Sequence, residues 1–125
     1  MIYLDTHIVA WMYAGRIELI PEKIQGELSR EELLISPMVL LELQYLFETG
    51  RVSARGEKVF QDISKRVGLK ICGLPFDQVI KQAIGLNWTR DPFDRLIVAQ
   101  ARVHSSRLVT KDSLILKHYK HALWE

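Results

Sequence analysis

Carboxylates carry the chemical potential of this chain, and the stretch WTRDPFDRLIVAQA, from Trp88 to Ala101, sets two of them around a proline. Asp91 is a favoured helix N-cap, Pro92 suits the first helical position, and Asp94 falls at the third, where a carboxylate meets the positive end of the helix dipole. Capping accounts for both aspartates by itself. The stretch gains meaning from the acids elsewhere: Asp5 after the apolar Ile2-Tyr3-Leu4, Glu42 within SPMVLLELQYL, and Asp112 within LVTKD. Glu42 is the most informative, because its i±3 and i±4 neighbours Met38, Val39, Tyr45 and Leu46 are apolar or aromatic, while Gln44 and Glu48 point about 200–240° away. Asp94 is alike, with Ile97, Val98 and Ala101 continuing its side of the helix. A carboxylate facing a core must be paired, protonated or bound to a cation.

Gathered in one cleft, these acids repel, each close pair by about 4 kcal/mol at 4 Å with an effective dielectric near 20. A cation answers that repulsion. Oxygen-only ligands select hard ions, so Mg²⁺ or Mn²⁺ is expected, retaining several waters. Such an ion lowers the pKa of a bound water and neutralises charge on a phosphate, the chemistry of metal-assisted phosphodiester hydrolysis. Taken singly, Asp5 and Asp112 also read as strand-end turn residues and Asp91 as a cap, so the case rests on whether they meet.

The elements that would make them meet follow from periodicity. Short apolar strands are expected at Ile2 to Leu4, Leu33 to Ile35, Leu69 to Cys72 and Arg107 to Thr110, with a last one near Ala122 to Trp124. Between them run helices: Thr6 to Ala14 closed by Gly15, a weaker one at Pro21 to Ser29, one capped by Ser36 with Pro37 first and Gly50 beyond its end, an amphipathic one at Ser53 to Val67 stopped by Gly68, then Pro75 to Leu86, Pro92 to His104 and Leu114 to His118. Strands alternating with helices predict a mostly parallel sheet covered on both faces, an α/β/α sandwich. In that fold strand C-termini and helix N-termini share one edge, where ligands bind. Asp5, Asp91, Asp94 and Asp112 sort to that edge, and Glu42 lies within about 10 Å of the start of its helix.

Composition sets the frame. The 125 residues are 48% hydrophobic and 26% charged with 7 Gly and 4 Pro, which excludes disordered and fibrous classes and fits one domain over residues 1–125. A net charge of +2 is compatible with a polyanionic partner. The single cysteine, Cys72, excludes an internal disulfide and a CxxC zinc site and fits a reducing compartment. No basic leader precedes an apolar run, and the apolar stretch around Val39 to Leu46 is interrupted by Glu42, so no membrane segment is expected and a cytoplasmic location is.

Four segments together, YLDTH at Tyr3 to His7, SPMVLLELQYL at Ser36 to Leu46, RDPFDRLIVAQA at Arg90 to Ala101 and LVTKD at Leu108 to Asp112, resemble the PIN domain family, specifically VapC-like ribonuclease toxins of toxin–antitoxin pairs. The resemblance spans nearly the whole chain. It implies a three-layer α/β/α fold and a Mg²⁺- or Mn²⁺-dependent endoribonuclease whose acidic quartet is Asp5, Glu42, Asp94 and Asp112, with Asp91 a neighbouring acid that caps the helix. It further implies that Thr6 and Ser113, beside quartet members, can bind metal waters or substrate. A homodimer and a cognate antitoxin covering the groove are implied as well.

Among nearby cations, Arg90, Arg95, Lys111 and Lys117, the pair Arg95 and Lys111 adjoins quartet acids and is expected to hold RNA phosphates. The histidines His7, His104, His118 and His121 form no metal pattern and read chiefly as surface residues, while His7, beside Asp5, also reads as a helix-start residue or a substrate contact. A haloacid-dehalogenase phosphatase would need an aspartate where LDTH has His7, and a receiver domain would need one in LKICGL. No GxSxG, P-loop or GxGxxG occurs. The alternative within this fold is a catalytically silent module that binds RNA or an antitoxin.

Overall fold

A computed structural model describes residues 1–125. The chain forms β1 (Ile2–Leu4), α1 (Thr6–Tyr13), a one-turn 3-10 helix (Ile17–Leu19), α2 (Glu22–Arg30), β2 (Leu33–Ile35), α3 (Pro37–Glu48), α4 (Gly56–Val67), β3 (Lys70–Ile71), α5 (Phe76–Ile84), α6 (Pro92–Arg102), β4 (Arg107–Val109), α7 (Ser113–His118) and β5 (Ala122–Leu123). Every strand pairing is parallel, and the order across the sheet is β3-β2-β1-β4-β5. The expected mostly parallel sandwich is therefore an all-parallel one with helices on its faces. No helix is long and apolar enough to cross a membrane.

Parallel strands covered on both faces must be apolar throughout, and β1 and β2 are buried along their whole length. Ile2, Leu4, Leu33, Ile35 and Leu108 lose nearly all solvent contact, each burial favouring the fold by about 1.5–3 kcal/mol relative to an exposed side chain. The strand expected over Leu69 to Cys72 is shorter, because it is a sheet edge. Lys70 and Ile71 are exposed there, while Leu69 just before them anchors the segment in the core.

The strand order decides where the helices' N-termini gather. From β1 the chain winds outward through β2 and β3 on one side, and β4 and β5 lie on the other, so the winding reverses between β1 and β4. Connections leaving the C-terminal ends of two such strands depart in opposite directions and leave a crevice between them. The register places Leu4 beside Val109, which sets the next residues, Asp5 and Thr110, side by side at the mouth of that crevice.

The amphipathic helix expected from Ser53 begins three residues later, at Gly56. Arg55 at its N-cap offers no side-chain acceptor; Gln44 of α3 supplies one, its Oε1 accepting from the Gly56 N–H at 3.1 Å. Gln44 thus packs toward α4 instead of facing solvent. The helices approach so closely that a Cβ at Gly56 would stand 2.6 Å from the Leu40 carbonyl oxygen and 3.0 Å from the Gln44 nitrogen. Both are backbone atoms that cannot swing aside. Gly56→Ala is therefore expected to destabilise the fold by about 1–3 kcal/mol, read as a lowered denaturant midpoint; an unchanged midpoint would mean α3 and α4 can separate at no cost.

Candidate active site

Each acid of the quartet reaches the crevice from a different element. Asp5 ends β1 and caps α1, its Oδ1 accepting from the Thr6 N–H at 2.8 Å. Its Oδ2 accepts from the Thr110 hydroxyl at 2.6 Å. The same Thr110 oxygen accepts from the Asp112 N–H at 3.0 Å, so one threonine couples the ends of two parallel strands. Asp112 caps α7, its Oδ1 taking the N–H groups of Leu114 and Ile115 at 2.8 and 3.1 Å. Glu42, in the second turn of α3, receives the Thr6 hydroxyl. Asp94 sits in the first turn of α6 with its carboxylate engaged in no protein hydrogen bond. Asp5, Glu42, Asp94 and Asp112 together with His7, Trp11 and Lys111 line one cavity of about 290 Å³.

The electrostatics are one-sided. No arginine or lysine pairs with any of the four acids; the chain's ion pairs go to Glu18, Glu27, Glu31 and Asp62. The Nζ of Lys111, the cavity's own ammonium group, lies 5.7 Å from the Trp11 ring centre. Burial is the main cause that pushes Asp94 up to about 7, with Asp91, Asp5, Asp112 and Glu42 adding repulsion. Burial also raises Asp5, against the lowering by Thr110, the Thr6 N–H and His7. Glu42 is raised likewise, by burial first and Asp5 next among the acids, with Thr6 and His7 opposing. The N-termini of α1, α6 and α7 all open on the crevice, and their dipoles oppose the repulsion without cancelling it.

That donor set fits a hard divalent cation: oxygen ligands, and four carboxylates against the single unpaired ammonium of Lys111. As placed, no three histidine, cysteine, aspartate or glutamate side chains are close enough together to hold an ion by themselves. The acids instead border an open cavity, an arrangement suited to an ion that keeps several of its waters.

The other expected residues divide. Asp91 is exposed and caps α6, its Oδ1 accepting from Phe93 at 2.8 Å and Asp94 at 3.3 Å. It stays outside the cavity lining and acts there through its charge on Asp94. Thr6 is fully buried and binds Glu42, so it positions an acid; Ser113 is exposed at the first position of α7. The expected phosphate role of Arg95 is corrected by its contacts. Its guanidinium donates to the Ala83 and Ile84 carbonyls at 2.9 and 3.2 Å, closing the C-terminus of α5, because the α5–α6 packing brings those helix-end carbonyls within reach. Lys111 remains in the cavity. The apolar flanks of Glu42 also differ from the expected core: Tyr45 is 50% exposed, edge-on to Phe93 at 5.2 Å, so Glu42 stands at the boundary of core and surface.

Thr110 and Trp11 were not singled out from the sequence. Thr110 stands two residues before Asp112, a spacing that signals a capping turn, yet its bond to Asp5 depends on strand neighbours 105 residues apart. Trp11 lies one helical turn after His7 on α1, 6.3 Å between ring centres, a spacing that places both on one face.

The PIN domain family model matches residues 2–121. The chain is 29% identical over 120 residues to ribonuclease VapC22 of Mycobacterium tuberculosis, covering 94% of this chain and 91% of that protein. Among solved structures it resembles a toxin–antitoxin complex from Klebsiella pneumoniae, with a TM-score of 0.72 at 17% identity over 98% of this chain and 96% of the other. It also resembles VapBC2 from Rickettsia felis bound to a promoter DNA fragment, with a TM-score of 0.67 at 19% identity over 100% and 98%.

The raised Asp94 carboxyl has a sign that can be measured. Its folded pKa, about 7, exceeds the unfolded value of 3.8, so the folded chain holds the extra proton between those values and stability falls as pH rises from about 4 to 7. In metal-free protein the melting temperature should decline across that window, and Asp94→Asn should flatten the decline and melt higher at pH 8. Added Mg²⁺ should raise the melting point of the parent at pH 8 more than that of the variant. Parallel pH curves for parent and variant would show that Asp94 is not crowded by the other acids.

Proposed function

The chain belongs to the PIN domain family, and from that premise we propose that it is a divalent-metal-dependent endoribonuclease, the toxin of a toxin–antitoxin pair acting in the cytoplasm. The observation that carries the reading is the convergence of Asp5, Glu42, Asp94 and Asp112 on one cavity with none of them in an ion pair. Sequence similarity to a ribonuclease supports the substrate, and structural similarity to toxin–antitoxin complexes agrees with the fold such a toxin would have.

In this reading Asp5, Asp94 and Asp112 would hold Mg²⁺ or Mn²⁺, which when bound would lower the pKa of a coordinated water and offset charge on the scissile phosphate. Glu42 orients a water or a second ion from the facing helix. Asp5 holds a single orientation because both of its oxygens are bonded, to Thr110 and to the Thr6 amide. Thr6 ties Glu42 to the same helix start, so the two acids move as one unit. Lys111 at the cavity wall meets a non-bridging phosphate oxygen. The homodimer and antitoxin belong to the same proposal; exposed Phe76 and Ile84 on α5 offer apolar surface for such contacts.

Asp5→Asn should reduce Mn²⁺-stimulated cleavage of single-stranded RNA to background while leaving the circular dichroism spectrum unchanged, and EDTA should do the same to the parent. Full activity in either case would refute the assignment. Stable RNA affinity with no cleavage by partner-free parent would favour a silent binding module. Thr110→Val keeps the shape but removes the donor to Asp5, and should lower activity about 10–100-fold, as loss of an outer-shell partner does; unchanged activity would mean Asp5 needs no help in orientation.

A further inference from the structure

A second cavity, of about 330 Å³, opens where the turn after α5 meets the C-terminal ends of α6 and α7. Its lining includes Arg102, His118, Lys120, His121, Ser105 and Trp88, and no carboxylate. Arg102 and Lys120 are exposed, and neither enters an ion pair. The His118 ring lies flat on Trp88, 5.0 Å between centres and 7° between planes, which holds its nitrogens at the edge of the stack. Ser105, with φ 52, is the left-handed turn that ends α6, its own N–H and that of Ser106 returning to the Arg102 and Ala101 carbonyls at 3.1 and 2.9 Å. Cations in the last turns of α6 and α7 partly answer the negative ends of those helices. Lys120 and His121 lie beyond both helices and exceed that need.

The same two helices carry quartet acids at their other ends. Arg102 is eight residues past Asp94, about 12 Å along α6, and His118 is six past Asp112, about 9 Å along α7. An RNA strand with one phosphate at the acids reaches that distance within a few nucleotides. We propose that this basic cavity is a second RNA contact, holding a backbone phosphate away from the cleaved bond through Arg102 and Lys120, with His118 and His121 as further N–H donors. The proposal rests on the ribonuclease reading and deepens it by giving the substrate a second point of attachment. It supplies affinity without sequence readout, because it engages phosphate.

The test uses full-length chain carrying Asp94→Asn, so that RNA is bound and not cut, and a fluorescently labelled single-stranded RNA titrated at several salt concentrations. Arg102→Ala with Lys120→Ala should weaken binding about tenfold or more and make the slope of log K against log salt shallower by about 0.7–1.4, one to two single-strand phosphate contacts. Arg102→Lys with Lys120→Arg should restore most of the affinity. In protein with an intact quartet the alanine pair should raise KM for a long RNA, leave kcat in place, and have no effect on an RNA too short to span both cavities. Equal affinity and equal slope in parent and alanine pair, with RNA bound by both, would overturn the second contact alone. Absence of both binding and cleavage by the parent would overturn the ribonuclease reading and this contact with it. Loss of affinity for an acidic protein partner, with RNA binding intact, would assign the cavity to that partner and overturn the proposal.

Discussion

Repulsion among four carboxylates is the constraint around which this molecule is arranged. Sharing a cavity, the acids repel one another, and burial adds to the cost of keeping each one charged. The chain tolerates it by spreading the acids over four elements whose positions are set by the hydrophobic core. Asp5 and Asp112 leave adjacent parallel strands, coupled through Thr110, while Glu42 and Asp94 project from α3 and α6. Three helix N-termini add opposing dipoles, and the Asp94 carboxyl is still raised, by burial first and by the neighbouring acids second. A fold that leaves four such acids without an ion-pair partner leaves them suited to a cation from solution.

Topology explains why the cluster lies where it does. With the order β3-β2-β1-β4-β5, the winding reverses between β1 and β4, and the crevice at that reversal is where Asp5 and Asp112 emerge. Helices α6 and α7 then run away from the acids and end at the basic cavity, so charge of one sign marks their starts and charge of the other marks their ends. In the proposed reading a polyanion crossing this surface would meet attraction at Arg102 and Lys120 and would need a metal ion at the acids. Phosphate backbones have the regular spacing of charge that suits two such points.

Local signals in the chain were readable to the extent that their causes are local. Ser36-Pro37 and Asp91-Pro92 mark helix starts because capping and a fixed proline φ act within one turn. The face of Asp94 could be inferred, since Ile97, Val98 and Ala101 are indeed buried beside it. Glu42 was only half legible: its apolar neighbours are the same whether they meet a core or a surface, and Tyr45 meets the surface. Arg95 misled because adjacency to Asp94 in the chain says nothing about direction, and its guanidinium turns back to the carbonyls that end α5.

The amino-acid order alone determined the alternation of strands and helices, the helix caps and the identity of the acids, since each depends on interactions within a few residues or on side-chain type. Tertiary structure decided which strands are neighbours, and with that the bond from Thr110 to Asp5, the way α3 turns Glu42 toward β1, and the meeting of Arg102 with Lys120 far from the acids. Those pairings are selected by burial of the whole sheet between its helices, a cooperative gain that no short segment carries by itself.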